Sequence, residues 1–256
     1  MSSAAGPARP RLGFGFWSFI VFMLGLTALF VVLGVWQVER LAWKDGLIAQ
    51  VTARLDQPPY DLPPLDQWPA MDLETYDFHP VTVSGRYIAD KTVLVFTSLG
   101  EEAKGKYSGP GDWVMVPFAA DGGGVVFINL GFVPQANSNA FIDGKTLPKD
   151  HTSITGIAVA AETAGAFTPG PDKANRVEWV RDPARLAAMA GVTDPVIGFT
   201  IDAPAAAPGA LPQGGETTID FPNNHFGYAI TWFGFALLTP CLLAFWAWRQ
   251  IKPAKS

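Results

Sequence analysis

A chain of 256 residues with 23 acidic and 18 basic side chains carries a formal net charge of −5, and its one cysteine excludes an internal disulfide and a thiol-based metal centre. The net acidity argues against nucleic acid as a partner. The charge is unevenly spread: residues 1–11 and 249–256 hold five bases and no acid, and everything between them carries −10.

In chain order, the first element is a run of 27 residues without charge, Leu12 to Val38, and the last is a run of 28, Phe221 to Trp248. Bilayer hydrocarbon is about 30 Å thick, and a helix of roughly 20 apolar residues crosses it; both runs are long enough. The predicted layout is a cytoplasmic N-terminus over 1–11, a transmembrane helix over 12–36, an extracytoplasmic domain over 37–222, a second transmembrane helix over 223–248 and a cytoplasmic C-terminus over 249–256. Short basic flanks are held in the cytoplasm, whereas large domains cross regardless of charge. Arg40 and Lys44, just past the first run, are a mild counter-signal. The first run exceeds a signal-peptide core and lacks a small-residue cleavage site, which predicts an uncleaved anchor. Residues 1–11 are too short for an Arg- and Ser-rich presequence. The expected location is therefore a bacterial inner (plasma) membrane, in preference to the mitochondrial inner membrane.

The first helix is predicted to continue past the span, because Trp36, Arg40, Trp43 and Leu47 recur at helical spacing and Leu41, Ile48, Val51 and Leu55 extend an apolar stripe. It ends before Pro58-Pro59, since proline disfavours helix at the preceding residue. Residues 57–70 are proline-rich and expected to be extended. Seven strands follow: Pro80–Ile88, Thr92–Ser98, Trp113–Phe118, Val125–Val133, Ser153–Ala160, Arg176–Val180 and Val196–Ile201, each rich in β-branched or aromatic residues and bounded by Gly, Pro or Asp. Asp121-Gly122-Gly123-Gly124 signals a hairpin, because glycine accepts positive φ cheaply. One short helix is expected between Asp182, as N-cap, and Gly191, as stop, with Pro183 in its first turn. Residues 203–222 look like a tether. The fold class is an α+β membrane protein: two terminal transmembrane helices flanking a mainly antiparallel-β extracytoplasmic domain.

Few motifs carry chemistry. Gly100 to Lys106 imitates a phosphate-binding loop, but Tyr107 stands where Ser or Thr is needed and Ser108-Gly109-Pro110-Gly111 cannot open a helix. The three histidines, His79, His151 and His225, are far apart, and no Gly-x-Ser-x-Gly elbow is present. His79 and His151 each precede a strand and are expected as exposed turn residues. No nucleophile–base pair is visible, so the chain is not expected to be an enzyme.

Two clusters at the ends of the apolar runs stand apart. In Asn223-Asn224-His225-Phe226-Gly227-Tyr228, helical spacing puts His225, Tyr228 or Ala229, Trp232 and Ala236 on one face. On one reading this is an interfacial cap, with Asn223 or Asn224 closing the helix and Tyr228 and Trp232 in the aromatic belt. On the other, His225 is an axial ligand for haem iron and the aromatics face a flat macrocycle. The residues alone favour the cap. The first run ends in Gly34, Trp36, Gln37, Arg40, Trp43 and Lys44. This is either a headgroup anchor or a place where Arg40 or Lys44 pairs with an anion such as a haem propionate or a partner's carboxylate; the anchor carries more weight.

Leu33 to Lys44 and Asn224 to Phe233 resemble the signature ends of the Surfeit locus protein 1 family. Val83-Ser84-Gly85-Arg86-Tyr87 resembles its first domain strand, and Trp113 to Phe118 followed by Val125 to Pro134 resembles its central hairpin. The resemblance spans about residues 30–240 in the same order. There is one departure: the family hairpin usually reads Asn-Arg-Gly-Trp, and here it is Asn129-Leu130-Gly131-Phe132. The resemblance implies an assembly factor for haem-copper cytochrome c oxidase, acting where haem a enters subunit I, with subunit I, haem a synthase and membrane lipid as neighbours. It also implies transient haem a binding, with His225 as the candidate ligand, and brings the two readings of His225 level. The cofactor-site candidates are then His225, Tyr228, Trp232, Trp36, Arg40 and Lys44. The alternative is a protein-only membrane scaffold that steadies subunit I without haem.

Overall fold

The computed structural model describes residues 13–145, 147–217 and 224–251. It divides into two compact units, one made of Met1–Ala49 with Asp220–Ser256 and the other of Gln50–Ile219.

The first unit is a pair of helices. α1 runs unbroken over Phe14–Leu55, 42 residues, which at 1.5 Å per residue is about 63 Å. It stops three residues short of Pro58. Another helix, labelled α3 in chain order, covers His225–Ile251 and carries Pro240 inside it. Both are long and apolar enough to cross a membrane. Their least exposed positions recur at alternating steps of four and three: Phe16, Ile20, Met23, Thr27, Phe30, Gly34 and Gln37 on α1, and His225, Ala229, Trp232, Ala236, Thr239, Leu243 and Trp246 on α3. That is the heptad seam of two helices packed side by side. The contacts run antiparallel along it. Phe16 stacks on Trp246 at 5.1 Å, the Thr27 and Thr239 hydroxyls hydrogen-bond at 2.9 Å, and Phe30 stacks on Trp232 at 5.8 Å. Gly34 is what permits the close approach, because a Cβ there would lie 2.7 Å from the Phe233 ring. Large apolar side chains away from the seam stay exposed, among them Trp17, Phe22, Val32, Leu237 and Phe245.

The second unit is β-barrel-like. Its strands are β1 Tyr60–Asp61, β2 Pro80–Tyr87, β3 Val93–Leu99, β4 Gly109–Ala120, β5 Val125–Pro134, β6 Thr152–Ala160, β7 Val177–Glu178 and β8 Val196–Asp202, with α2 over Pro183–Ala190 before the last. The order β2-β6-β8-β5-β4 closes on itself, because β4 also pairs with β2 through Tyr87↔Phe118, Arg86↔Ala119 and Gly85↔Ala120. One set of alternating side chains from all five ring strands points inward. Val81 and Val83, Phe118, Val126 and Ile128, Ala158, and Ile197, Phe199 and Ile201 form a single buried cluster. This is the two-residue period of a strand applied to a closed sheet. A second cluster, Val93, Val95, Met115 and Phe127, is covered by Leu186 and Ala187 of α2. The helix is delimited as predicted: the Asp182 carboxylate accepts from the Ala184 N–H, and Gly191 closes it at φ 62°, a cap worth about 1 kcal/mol. The β4–β5 turn is also as predicted, with Gly123 and Gly124 at φ 89° and 73°.

The sheet is mainly antiparallel, as expected: five pairings are antiparallel, while β1–β2, β3–β7 and, within the ring, β5–β8 are parallel. Three expectations are corrected. Residues 57–70 are not extended throughout, because Leu65–Ala70 winds into a 3-10 helix. β4 begins at Gly109 instead of Trp113, because β3 pairs with all of Gly109–Asp112 and β5 with Gly111 and Asp112. His79 is no exposed turn residue. It is 1% exposed, stacked on Tyr60 at 3.7 Å with Nε2 3.2 Å from the Pro58 carbonyl. His151 is at the surface, 2.7 Å from Asp121.

Candidate functional site

The imidazole of His225 opens α3 and occupies the last seam position opposite α1. Its Nδ1 lies 2.6 Å from the side-chain carbonyl oxygen of Gln37. Gln37 is 8% exposed, held inside because the alternating count from Phe30 through Gly34 lands on it. His225 itself is half-buried. The Trp36 ring stands edge-on to the imidazole at 6.4 Å and 80°. The backbone carbonyl of Asn224 accepts from the Tyr228 N–H at 3.4 Å; Asn223 lies outside the described residues.

The other predicted residues fall into three groups. Trp232 belongs to the seam, with one face of its indole taken by Phe30 and Phe235 closing at 6.2 Å. Tyr228 is turned out of the seam and is 57% exposed, and Ala229, at 4%, takes the inward place. Trp36 and Trp43 are each 52% exposed on one flank of α1, and the Arg40 guanidinium lies 3.9 Å over the Trp43 ring. Lys44 is half-buried one turn beyond Arg40. The structure thus brings His225 to Trp36 and to Gln37. The sequence places Gln37 only within the first cluster; the four-and-three count along α1 is the signal that it faces inward.

The chemistry open to this group follows from the donor set. Neutral imidazole has one N–H and one lone pair. With Nδ1 turned to a carbonyl acceptor, the lone pair is on Nε2. An imidazole nitrogen beside exposed aromatic surface, with a stacked guanidinium one turn away, fits an amphipathic ligand that has a metal centre, an apolar plane and anionic edges.

Elsewhere, the polar groups of two sequence features are taken up internally, while the buried Thr200 hydroxyl has no hydrogen-bond partner among the described residues. The loop that imitates a phosphate cradle gives its Lys104 and Gly105 N–H groups to the Glu216 carboxylate at 2.9 and 2.7 Å, so an internal anion fills it. In the departing hairpin, Asn129 donates to Asp202 and accepts from the Gly131 N–H, both at 3.0 Å. Leu130 packs against two core clusters, and Phe132 is fully buried, edge-on to Trp113 at 6.1 Å. Among the described residues no group of three or more His, Cys, Asp or Glu side chains is placed to hold a metal ion.

These features define a class: a β-barrel-like domain whose sequence lies between two apolar helices, with an imidazole–amide pair clasped between those helices. Sequence comparison gives the family. A profile of the SURF1 family matches residues 24–237. A SURF1-like protein of Monosiga brevicollis is 31% identical, with 98% of this chain and 93% of the relative aligned. Surfeit locus protein 1 of Homo sapiens is 29% identical over 94% of this chain and 81% of its own, and that of Rattus norvegicus 29% over 86% and 73%. The chain belongs to the SURF1 family.

Proposed function

We propose that this protein is an assembly factor for haem-copper cytochrome c oxidase that holds haem a and hands it toward subunit I. The observation that carries the reading is the half-buried His225, with Nδ1 engaged by Gln37 and Nε2 left as the lone-pair nitrogen, in a member of the SURF1 family. Haem a is the cargo. When bound, it would supply an iron centre, and His225 Nε2 would be the nitrogen that holds it. Trp36 provides exposed aromatic surface beside the imidazole, and Tyr228 adds an exposed ring one turn along α3. Arg40, kept flat against Trp43, presents its N–H edge to carboxylates, and Lys44 adds a second positive charge a turn further on. No catalytic step belongs to this role.

In this reading α1 and α3 cross a bacterial inner membrane, both termini are cytoplasmic, and the barrel unit faces the periplasm, where subunit I and haem a synthase are its neighbours. The exposed apolar side chains of both helices support membrane insertion. The test is a visible spectrum of the full-length protein purified after co-expression with haem a synthesis genes. A bound haem spectrum that is lost in His225→Ala is expected. A colourless wild type, or an unchanged spectrum in the variant, removes the haem part.

A second reading has its own support. The Gln37–His225 hydrogen bond satisfies two polar groups within an apolar helix pair, which is also what an interhelical clasp does. A protein-only scaffold for subunit I then co-purifies with oxidase subunits and carries no pigment.

A further inference from the structure

We infer that Gln37 is the positioning residue of the His225 imidazole, setting its tautomer and presenting Nε2 as the ligand nitrogen. The inference rests on the haem-holding role of His225 for its purpose, but not for its chemistry.

A side-chain carbonyl oxygen only accepts, so at 2.6 Å from Gln37 Oε1 the Nδ1 atom must carry the proton. The imidazole ring sends its two nitrogens in diverging directions, and in the neutral ring Nε2 then keeps its lone pair on the side away from Gln37. A neutral histidine in water prefers the opposite tautomer, with the proton on Nε2 and no lone pair there for a metal. Gln37 therefore reverses an intrinsic preference. It is well placed to do so, because at 8% exposure water competes poorly for its carbonyl. Its own position is imposed by the helix seam: Gly34, one turn earlier, lets α3 approach to contact at Phe233, and Thr27 with Thr239 holds the register further down. A second group that orients a ligating histidine through its other ring nitrogen commonly controls metal affinity by about 10–100-fold.

The test has an arm without haem and an arm with it. In the first, the full-length protein in nanodiscs is labelled with 15N-histidine, and the His225 signals are assigned by their loss in His225→Ala. Two-bond 15N–1H correlations are expected to show the Nδ1–H tautomer in the wild type and a shift toward Nε2–H in Gln37→Leu. Nε2–H in the wild type, or the same tautomer in both proteins, overturns the inference. In the second, the haem-loaded proteins are compared by affinity and by the iron–histidine stretch in the resonance Raman spectrum. Gln37→Leu is expected to bind about 10–100-fold more weakly with a lower stretch. Gln37→Glu, whose carboxylate is a stronger acceptor, is expected to keep binding with a higher stretch, and it serves if the leucine variant folds poorly. Haem bound through His225 with wild-type affinity and stretch in both variants sinks the positioning role alone. A colourless wild type sinks the haem-holding reading and leaves the tautomer arm to decide this one.

Discussion

Asp112 takes a carboxyl group into the barrel wall at 4% exposure, where its side-chain contact is the Ser138 hydroxyl. Burial pushes its pKa up, and the serine hydrogen bond offsets only part of that. The folded protein therefore holds this proton more tightly than the unfolded chain does. The sign follows: Asp112 costs nothing below the unfolded value near 3.8, and stability falls as pH rises from there through the raised folded value. Asp112→Asn removes that titration while keeping an acceptor for Ser138. Chemical denaturation at a series of pH values is expected to show the variant gaining on the wild type as pH rises above about 4, with the gap constant below it; a gap that does not change with pH contradicts the burial argument. Other residues show why single side chains are hard to place from sequence. His79 precedes a strand and gives no sign of burial, because what covers it is Tyr60, brought back by the pairing of β1 with β2. Gln37 is polar in an apolar run, and only the seam count separates it from a headgroup contact.

Elements were legible in proportion to how local their causes are. The two long helices follow from uncharged runs with no break, and α2 from a cap, a proline and a glycine at the right spacing. Strand edges follow from β-branched runs, but partners do not: alternation is the same in a parallel and an antiparallel strand, so the β5–β8 pairing had no local signature. The start of β4 was hidden because Gly111 lowers strand propensity, yet only glycine fits there, with Val133 O 2.2 Å and the Phe132 ring 2.4 Å from where a Cβ would be. The helix seam makes a prediction of its own. With Cys241 replaced by serine to remove the one native thiol, Thr27→Cys combined with Thr239→Cys is expected to form a disulfide on mild oxidation, since the two hydroxyls are 2.9 Å apart. Moving the second cysteine to Leu238, which is 50% exposed, should leave both thiols open to maleimide. Equal protection of the two pairs would mean the helices meet on a different face.

At the scale of the chain, the distribution of charge bears on the proposed orientation. Five cations and no acid lie outside the two apolar runs, against −10 between them. Arg40 and Lys44, immediately inside the first run, pull the other way, but they are two against five, and the neighbouring Glu39 and Asp45 count little because the rule is one of Lys and Arg, not of net charge. Placing the ends outside would set Arg9, Arg11, Arg249, Lys252 and Lys255 against the bias that holds short Lys- and Arg-rich flanks in the cytoplasm. Large acidic domains meet no such bar to export. Alkaline phosphatase, active only outside the cytoplasm, is therefore expected to be active when fused after Asp150 and inactive when fused after Ser256, and a cytoplasm-dependent fluorescent reporter should give the reverse pattern. The opposite result would put the barrel unit in the cytosol. It would also bring His225, at the head of α3, to the inner rather than the outer boundary, where the proposed hand-over of haem a has no acceptor on the periplasmic side.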